Sequence, residues 1–194
     1  MNLVIGFDPG WGCTAVSIGT ETGPRHVEHW GDATWRYHRL QQRLDALDEK
    51  VASFESYMGP TDTVRVVVEK PPQVYKRGNQ ASTGFGLGKL VGAICMWGAR
   101  PGWLYPWEIN IVQKKTQIGW RTHWGLKGKR GIVKVRAVKL AQSLGWSEYF
   151  DGCPVQFPGD NKPYPASDRA EAMLIQVAGS KLAHLGPKGP KEWR

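Results

Sequence analysis

The stretch that decides the fold is Asn2-Leu3-Val4-Ile5-Gly6-Phe7-Asp8-Pro9-Gly10, a short β-rich run closed by turn-forming residues. Two more short apolar runs follow, at residues 14–18 and 25–30, and glycine, proline or aspartate separates them. Short runs divided in this way are typical of an antiparallel meander. The first three strands are therefore expected to pair in sequence order, and Asp8 is expected at the end of the first.

Beyond the meander, helices and strands alternate. Apolar residues recur every three or four positions from residue 40 to residue 54, which predicts an amphipathic helix. Residues 64–68 are almost all valine, as in a strand buried on both faces, and Glu69 ends this strand. Further helices are predicted at residues 82–97, 108–117, 129–144 and 167–185, a short strand at 104–105, and loops at 119–128 and 151–165. This order predicts an α/β fold in which a mixed sheet carries helices on both faces.

Length and composition limit the class of protein. The chain has 194 residues, of which 41% are hydrophobic and 22% charged, as in an ordinary globular domain rather than a disordered chain. We expect a single domain over residues 1–185 and a flexible basic tail over residues 186–194. No apolar run approaches the roughly 20 residues of a membrane helix, and residues 1–3 lack the features of a signal peptide. We therefore expect a cytoplasmic protein without a membrane partner.

Residue counts argue against a cysteine-based site and favour an anion-binding surface. The three cysteines, Cys13, Cys95 and Cys153, are far apart, which argues against a zinc site or a disulfide framework. By contrast, 26 Lys and Arg against 17 Asp and Glu give a net charge of +9. Residues 109–147 contain nine Lys or Arg and no acid. A solvated basic face would explain a short run of this kind, but 39 residues without an acid favour phosphate binding, with nucleic acid as the first candidate.

Four acidic residues stand at informative positions. Asp8 and Glu69 each end a strand, and Asp168 and Glu171 lie three residues apart on one face of the last helix. Acids at the ends of central strands are costly to bury without a partner. If the four converge, their repulsion calls for hard divalent cations, Mg²⁺ or Mn²⁺, with two ions about 4 Å apart. Two-metal sites of this kind serve phosphodiester hydrolysis.

Each acid also has a purely structural interpretation. Asp8 precedes Pro9 and can be a turn former. Glu69 can pair with a neighbouring cation at the surface. Asp168 and Glu171 can be first-turn acids that the helix dipole favours. The metal site is excluded only if all of these structural interpretations are correct at the same time. The basic region would then have no explanation.

Several segments, in their order and context, resemble the RuvC-type Holliday junction resolvases of the ribonuclease H-like superfamily. Val4-Ile5-Gly6-Phe7-Asp8-Pro9-Gly10 is similar to the opening strand and first catalytic acid of that family. Val66-Val67-Val68-Glu69 resembles its second acid, and Ser167-Asp168-Arg169-Ala170-Glu171-Ala172 its closing pair. Leu87-Gly88-Lys89-Leu90-Val91-Gly92-Ala93-Ile94 resembles a helix whose glycines permit close packing at the dimer interface. The resemblance extends over nearly the whole chain, to about Ala178.

The resemblance implies a ribonuclease H-like mixed five-stranded sheet and a symmetric homodimer. It implies that Asp8, Glu69, Asp168 and Glu171 are catalytic and hold two Mg²⁺ ions, with Mn²⁺ able to substitute. The implied substrate is branched DNA, especially four-way junctions, nicked symmetrically to leave 5′-phosphate and 3′-hydroxyl ends.

DNA contacts are expected from the turn after Glu69 and from the basic region. The candidates are Tyr75, Lys76, Arg77, Lys114, Lys115, Lys129, Arg130 and Lys134. Tyr75 either inserts into the junction centre, as an aromatic does in the family, or is an exposed loop tyrosine. Lys129 or Arg130 is the expected neighbour of the scissile phosphate.

The sequence also departs from the family pattern, and in these departures it is similar to phage versions. Glu171 stands where bacterial members usually carry aspartate, Pro71-Pro72 lengthens a turn, and the loop at 120–126 looks inserted. Strict junction preference is therefore open. A less selective branched or flap DNA nuclease of the same fold and a non-catalytic basic DNA-binding module remain as alternatives. Sugar kinases and actin-like ATPases have a similar first loop, but they need two such domains.

Overall fold

A computed structural model of the chain describes residues 1–10, 14–30, 37–70, 79–99, 107–112, 119–150 and 165–183. The strands are β1 (Leu3–Pro9), β2 (Thr14–Thr20), β3 (Gly23–Trp30), β4 (Val64–Glu69) and β5 (Trp107–Val112). The α-helices are α1 (Tyr37–Glu55), α2 (Asn79–Ala99), α3 (Trp120–His123), α4 (Arg130–Ser143) and α5 (Pro165–Ala183). A single 3-10 turn, Ser147–Phe150, follows α4.

The five strands form one sheet in the order β3-β2-β1-β4-β5. β1 pairs antiparallel with β2, and β2 pairs antiparallel with β3, so the expected meander is confirmed. On its other side β1 pairs parallel with β4, and β4 pairs parallel with β5. The predicted mixed sheet is therefore present, with the five strands that the resemblance implies.

Helices cover both faces of this sheet, as predicted. Leu3, Ile5 and Phe7 of β1 point to one face, where they pack with α1 and α2. Val4 of β1 and Val67 of β4 point to the other face, where they pack with α4 and α5. Each fully buried valine or leucine contributes about 1.5–3 kcal/mol to folding. Because side chains alternate along a strand, Asp8 shares its face with Val4, and Glu69 shares its face with Val67.

Helix α5 lies directly against β1 and β4 because glycines remove the side chains between them. A Cβ on Gly6 would come within 2.7 Å of the Ala172 carbonyl oxygen and of Gln176 in α5. A Cβ on Gly179 would come within 2.1 Å of Val67 Cγ1. The absence of a side chain at Gly6 and Gly179 therefore allows α5 to lie close to the sheet. The distance between α5 and the sheet determines how close Asp168 and Glu171 come to the strand ends.

One predicted helix is wrong. Residues 107–112 form β5 instead of the start of a helix at 108–117. β5 pairs with all six residues of β4, from Val64 opposite Trp107 to Glu69 opposite Val112. Its alternating apolar positions, including Ile109 and Ile111, suit a strand once a partner is available. The strand predicted at 104–105 lies outside the described residues.

Other expectations have different outcomes. Within the predicted loop 119–128, Trp120–His123 form the short helix α3, and both Trp120 and Arg121 are buried. The predicted loop at 151–165 lies outside the described residues up to residue 164, and α5 begins at Pro165. The tail at 186–194 also lies outside them, so the boundary at residue 185 stays a prediction. Within the described part of the chain, no helix combines the length and the apolarity needed to cross a bilayer.

Candidate active site

The two strand-end acids lie side by side. Phe7 of β1 is in register with Val68 of the parallel neighbour β4, so Asp8 and Glu69 follow at equivalent positions on the face covered by α5. Asp8 is 9% exposed and Glu69 is 6% exposed. Two buried carboxylates at the ends of adjacent central strands need compensation from their surroundings.

Helix α5 brings its two acids to the same point. Asp8, Asp168 and Glu171 each place one carboxylate oxygen within 4.8 Å of the others, and all three residues are buried. The structure therefore joins three of the four acids predicted from the sequence. Glu69 lies next to this acidic triad without belonging to it.

Glu69 is held by a residue that the sequence did not single out for this role. The indole N–H of Trp120, a fully buried side chain of α3, donates a 2.7 Å hydrogen bond to Glu69 Oε2. A donor at this position lowers the cost of burying the charged carboxylate. Glu69 is thus tied to α3, and the other three acids meet beside it.

Lys134 of α4 lies among the acids. Its ammonium group forms an ion pair with Asp168 Oδ1, donates a 3.1 Å hydrogen bond to Ser167 Oγ, and lies 4.0 Å from Glu171 Oε2. Burial acts to lower the pKa of Lys134, but the nearby carboxylates of Asp168, Glu171 and Asp8 outweigh it and hold the pKa above its ordinary value. Lys134 therefore keeps its positive charge at neutral pH.

Arg121 supplies a second buried cation. Its Nη2 donates a 2.6 Å hydrogen bond to Glu171 Oε1, and both side chains are at least nine-tenths buried. The guanidinium carbon also lies 5.1 Å from the centre of the Trp120 ring, within the range of a cation–π contact. Consecutive residues of α3 therefore contact acids from two different elements.

Two buried polar atoms near this region have no hydrogen-bond partner among the described residues, Thr14 Oγ1 and His29 Nε2. The His29 atom lies 3.7 Å from Asp168 Oδ2, beyond hydrogen-bond distance. Thr14 opens β2 opposite Pro9, the residue after Asp8. The surroundings of the acids thus hold polar groups that the described residues do not satisfy.

The donor set fits a hard divalent cation. The triad offers oxygen ligands only, the class that Mg²⁺ and Mn²⁺ prefer. Among the described residues, the lysine and arginine side chains that pair with the triad are Lys134 and Arg121, so two such cations face three carboxylates. The orphaned His29 nitrogen next to Asp168 adds a polar atom without a partner in the described part of the protein.

The predicted DNA-binding residues fall into three groups. Lys129 is exposed at the start of α4. Lys134 points inward to the acids, so in this structure its partners are carboxylates. Arg130 begins α4, and its side chain lies outside the described residues, as do Tyr75, Lys76, Arg77, Lys114 and Lys115 altogether.

The outer surface of α4 is basic. Four exposed cations follow one another from the preceding turn to the middle of the helix, and we call them the α4 basic strip: Lys127, Lys129, Arg136 and Lys139. Arg136 Nη1 donates a 2.6 Å hydrogen bond to the Lys127 carbonyl, which ties the strip to the turn before α4. The inner surface of the same helix carries Lys134, so the strip and the acids lie on opposite faces of one helix.

The contacts made by Trp120, Arg121 and His29 could not be predicted from the local sequence. Arg121 was visible only as one of nine basic residues, and Trp120 only as an aromatic in a loop. The adjacency of a tryptophan and an arginine in a segment that looks inserted was the available signal. It did not indicate which acids they would meet.

Comparison with solved structures identifies a similar architecture. RuvC of T. thermophilus in complex with a Holliday junction substrate matches with a TM-score of 0.52, covering 95% of this chain and 96% of that chain. The fold is that of RuvC. The identity to RuvC is 16%, and a second Thermus thermophilus RuvC structure matches at 14% identity with a TM-score of 0.48, covering 93% of this chain and 96% of that chain. No protein-family model matches the sequence, and comparison with curated proteins gives no match.

The match to RuvC confirms the fold that the resemblance implied. It spans the meander, the parallel strands and the closing helix, since nearly the whole of both chains is aligned. The roles of individual residues do not follow from the fold and have to be argued from the site itself.

Proposed function

We propose that the chain is a metal-dependent DNA endonuclease that resolves four-way junctions. The observation that carries the proposal is the buried triad of Asp8, Asp168 and Glu171 at the strand ends of a RuvC-like sheet. The RuvC structure similar to this chain contains a Holliday junction substrate. A buried group of hard oxygen ligands suits hydrolysis of a phosphodiester.

In this proposal the four acids hold two Mg²⁺ ions, which Mn²⁺ can replace. When bound, the ions supply an activated water and stabilise the leaving 3′-oxygen, giving 5′-phosphate and 3′-hydroxyl ends. Asp8, Asp168 and Glu171, whose carboxylate oxygens lie within 4.8 Å of one another, would hold an ion together, and Glu69 would supply a further ligand. Lys134 offers a charged ammonium next to the acids, where it can hydrogen-bond an oxygen of the scissile phosphate.

DNA is bound through its backbone in this proposal. The α4 basic strip contacts phosphates, together with Lys76, Arg77, Lys114, Lys115 and Arg130 as predicted from the sequence, and Tyr75 is the candidate that inserts into the junction centre. Phosphate contacts carry no sequence information, so recognition depends on the shape of the junction. Binding is expected to weaken steeply as salt is raised, because each neutralised phosphate releases a counterion.

A homodimer suits this substrate because a four-way junction has two strands of like polarity to cut. The exposed face of α2 supports this assembly. Apart from the chain neighbours and the backbone of α2 itself, no atom of the described residues lies within 4 Å of the position that a Cβ on Gly88 or Gly92 would occupy, and Met96 is 75% exposed. These residues lie four apart on one side of the helix and form a flat apolar stripe that a second copy can cover.

The proposal is tested with an immobile four-way junction, a three-way flap and a linear duplex, each incubated with the protein in Mg²⁺ and in EDTA. Paired symmetric nicks confined to the junction, and absent in EDTA, are the expected result. Equal cutting of the flap would replace the proposal with a general branched-DNA nuclease. Tight junction binding without cutting in Mg²⁺ or Mn²⁺ would leave a DNA-binding module.

A further inference from the structure

Two side chains of helix α3 each donate a hydrogen bond to one carboxylate oxygen of a candidate metal ligand. Trp120 donates to Glu69 Oε2 at 2.7 Å, and Arg121 donates to Glu171 Oε1 at 2.6 Å. Glu69 ends β4 and Glu171 lies on α5, so a single turn of chain connects ligands from two elements. Glu69 and Glu171 are also the two longest of the four acids and therefore the most able to rotate.

The contacts of α3 with α5 keep this turn in place. Trp124 donates its indole N–H to the Leu174 carbonyl at 2.9 Å, one turn beyond Glu171. The Leu126 amide donates to the Arg121 carbonyl at 2.8 Å, and Leu126 is buried. Gly125, between Trp124 and Leu126, has φ +65°, a conformation that other residues rarely adopt. The two donors are thus held on a backbone that is itself fixed.

The placement of Arg121 is costly unless it serves Glu171. The residue is 5% exposed, and its Nε has no hydrogen-bond partner among the described residues. Burying a guanidinium with an unsatisfied N–H is unfavourable. A methionine or leucine of similar length would fill the same space at lower cost, so the charge itself has a role at Glu171.

We propose that α3 selects the cation: by occupying one oxygen each on Glu69 and Glu171, Trp120 and Arg121 restrict these acids to single-oxygen coordination, which favours Mg²⁺ over Ca²⁺. This inference rests on the proposed function, in which the acids hold divalent ions. Trp120 and Arg121 are positioning residues, since they act through the acids. Each glutamate is then held in an orientation that favours binding the ion through a single oxygen.

The physical reason lies in the coordination of the two ions. Ca²⁺ accepts about six to eight oxygens and readily takes both oxygens of one carboxylate, whereas Mg²⁺ requires a tight octahedron of single oxygens. A donor hydrogen-bonded to one oxygen of a glutamate occupies a lone pair of that oxygen and fixes the orientation of the carboxylate, and both effects oppose the two-oxygen mode. Losing this mode lowers the affinity for Ca²⁺ more than the affinity for Mg²⁺. Removing the donor therefore shifts the preference towards Ca²⁺.

The experiment measures Mg²⁺ and Ca²⁺ affinity by calorimetry on the full chain without DNA, and thermal melting verifies that each variant is folded. The variants are Arg121→Met and Trp120→Phe, with Arg121→Lys as the conservative replacement. Arg43→Met on α1, on the opposite face of the sheet, controls for the change in net charge. Both test variants should raise the Ca²⁺ to Mg²⁺ affinity ratio by roughly tenfold, as other outer contacts of metal ligands do. Arg121→Lys and Arg43→Met should leave it near the wild-type value.

Two results would overturn the inference. One is an unchanged ratio in whichever of the two test variants folds, and the other is a wild-type protein that binds Ca²⁺ more tightly than Mg²⁺. The second needs no variant. Junction cleavage is scored separately, so a selective ion site in a protein that cuts no DNA would refute the proposed function and support ion selection by α3. DNA cleavage together with an unchanged Ca²⁺ to Mg²⁺ affinity ratio in the variants would support the proposed function and refute ion selection by α3.

Discussion

Lys134 donates a hydrogen bond to Asp168 within the acidic triad, and the two residues form an ion pair that is about nine-tenths buried. The ammonium group also faces Glu171 Oε2 at 4.0 Å. Lys134 therefore offsets part of the repulsion among the three carboxylates. A divalent cation bound by the same oxygens would offset it in the same way.

This relationship predicts that stability becomes cation-dependent when Lys134 is removed. Lys134→Met should destabilise the protein in EDTA by about 3–5 kcal/mol, because it leaves buried charge unpaired. Added Mg²⁺ should restore much of the loss, and Lys134→Arg should behave nearly as wild type. Melting curves with and without Mg²⁺ measure this. Equal melting temperatures of wild type and Lys134→Met in EDTA would contradict the account.

The close approach of α5 to the sheet predicts the sign of a glycine substitution. Helix propensity alone predicts that Gly179→Ala stabilises α5 by about 1 kcal/mol. The clash with Val67 should instead destabilise the protein by about 1–3 kcal/mol and lift Asp168 and Glu171 away from Asp8. Urea denaturation measures the change, and the double variant with Val67→Ala should recover part of it. A more stable Gly179→Ala protein would show that α5 does not rest on Val67.

Glu28 on β3, which is not one of the four candidate catalytic acids, predicts a pH dependence of the protein's stability. A hydrogen bond with His26 lowers the pKa of Glu28 most, burial opposes it, and a hydrogen bond from Trp30 lowers it further, to about 2. Because the folded pKa lies below the ordinary value of 4.5, Glu28 stabilises the fold above about pH 4.5 and loses this effect as pH falls towards 2.

Glu28→Gln should therefore lower stability at neutral pH, and its difference from wild type should shrink as the pH falls through that window. Urea denaturation over a pH series measures the difference. Glu49→Gln, at an exposed position of α1, is the matched control and should show a small effect throughout. A Glu28→Gln effect that stays constant from neutral to acid pH would rule out this ionic role.

The apolar stripe on α2 predicts a specific effect on assembly. Met96→Glu places a charge on the face proposed for the second copy and should convert a dimer into a monomer in size-exclusion chromatography with light scattering. Tyr57→Glu, a change at a residue 77% exposed just after α1, should leave the dimer intact. If both variants remain dimeric, the contact between copies lies elsewhere.

Much of the fold followed from local pattern, but β5 and α3 did not. The meander, β4 and helices α1, α2, α4 and α5 carry a period or turn signal within their own residues. β5 does not, since the short run around Ile109 and Ile111 suits either a strand or a helix until β4 is placed beside it. The deciding interaction is parallel pairing with a strand more than 35 residues earlier, which a local pattern does not contain.

The same distinction applies to the site. Asp8 and Glu69 could be predicted because each ends a strand, and Asp168 and Glu171 because of their helical spacing. Lys134 was expected to face phosphates, yet it lies among carboxylates because its side of α4 packs on α5. The contacts of Trp120 and Arg121 depend on how α3 packs against α5. Such contacts between distant segments are set by packing and leave no mark on the local sequence.

The central claim, that the buried acids hold cations for DNA hydrolysis, is tested most directly by Asp8→Asn on an immobile four-way junction. Cleavage in Mg²⁺ and binding in EDTA are measured on the same preparations of wild type and variant. The account predicts that cleavage is lost while binding is retained or becomes tighter, because a charge that repels phosphate is gone. An Asp8→Asn protein that nicks the junction at the wild-type rate would contradict the claim.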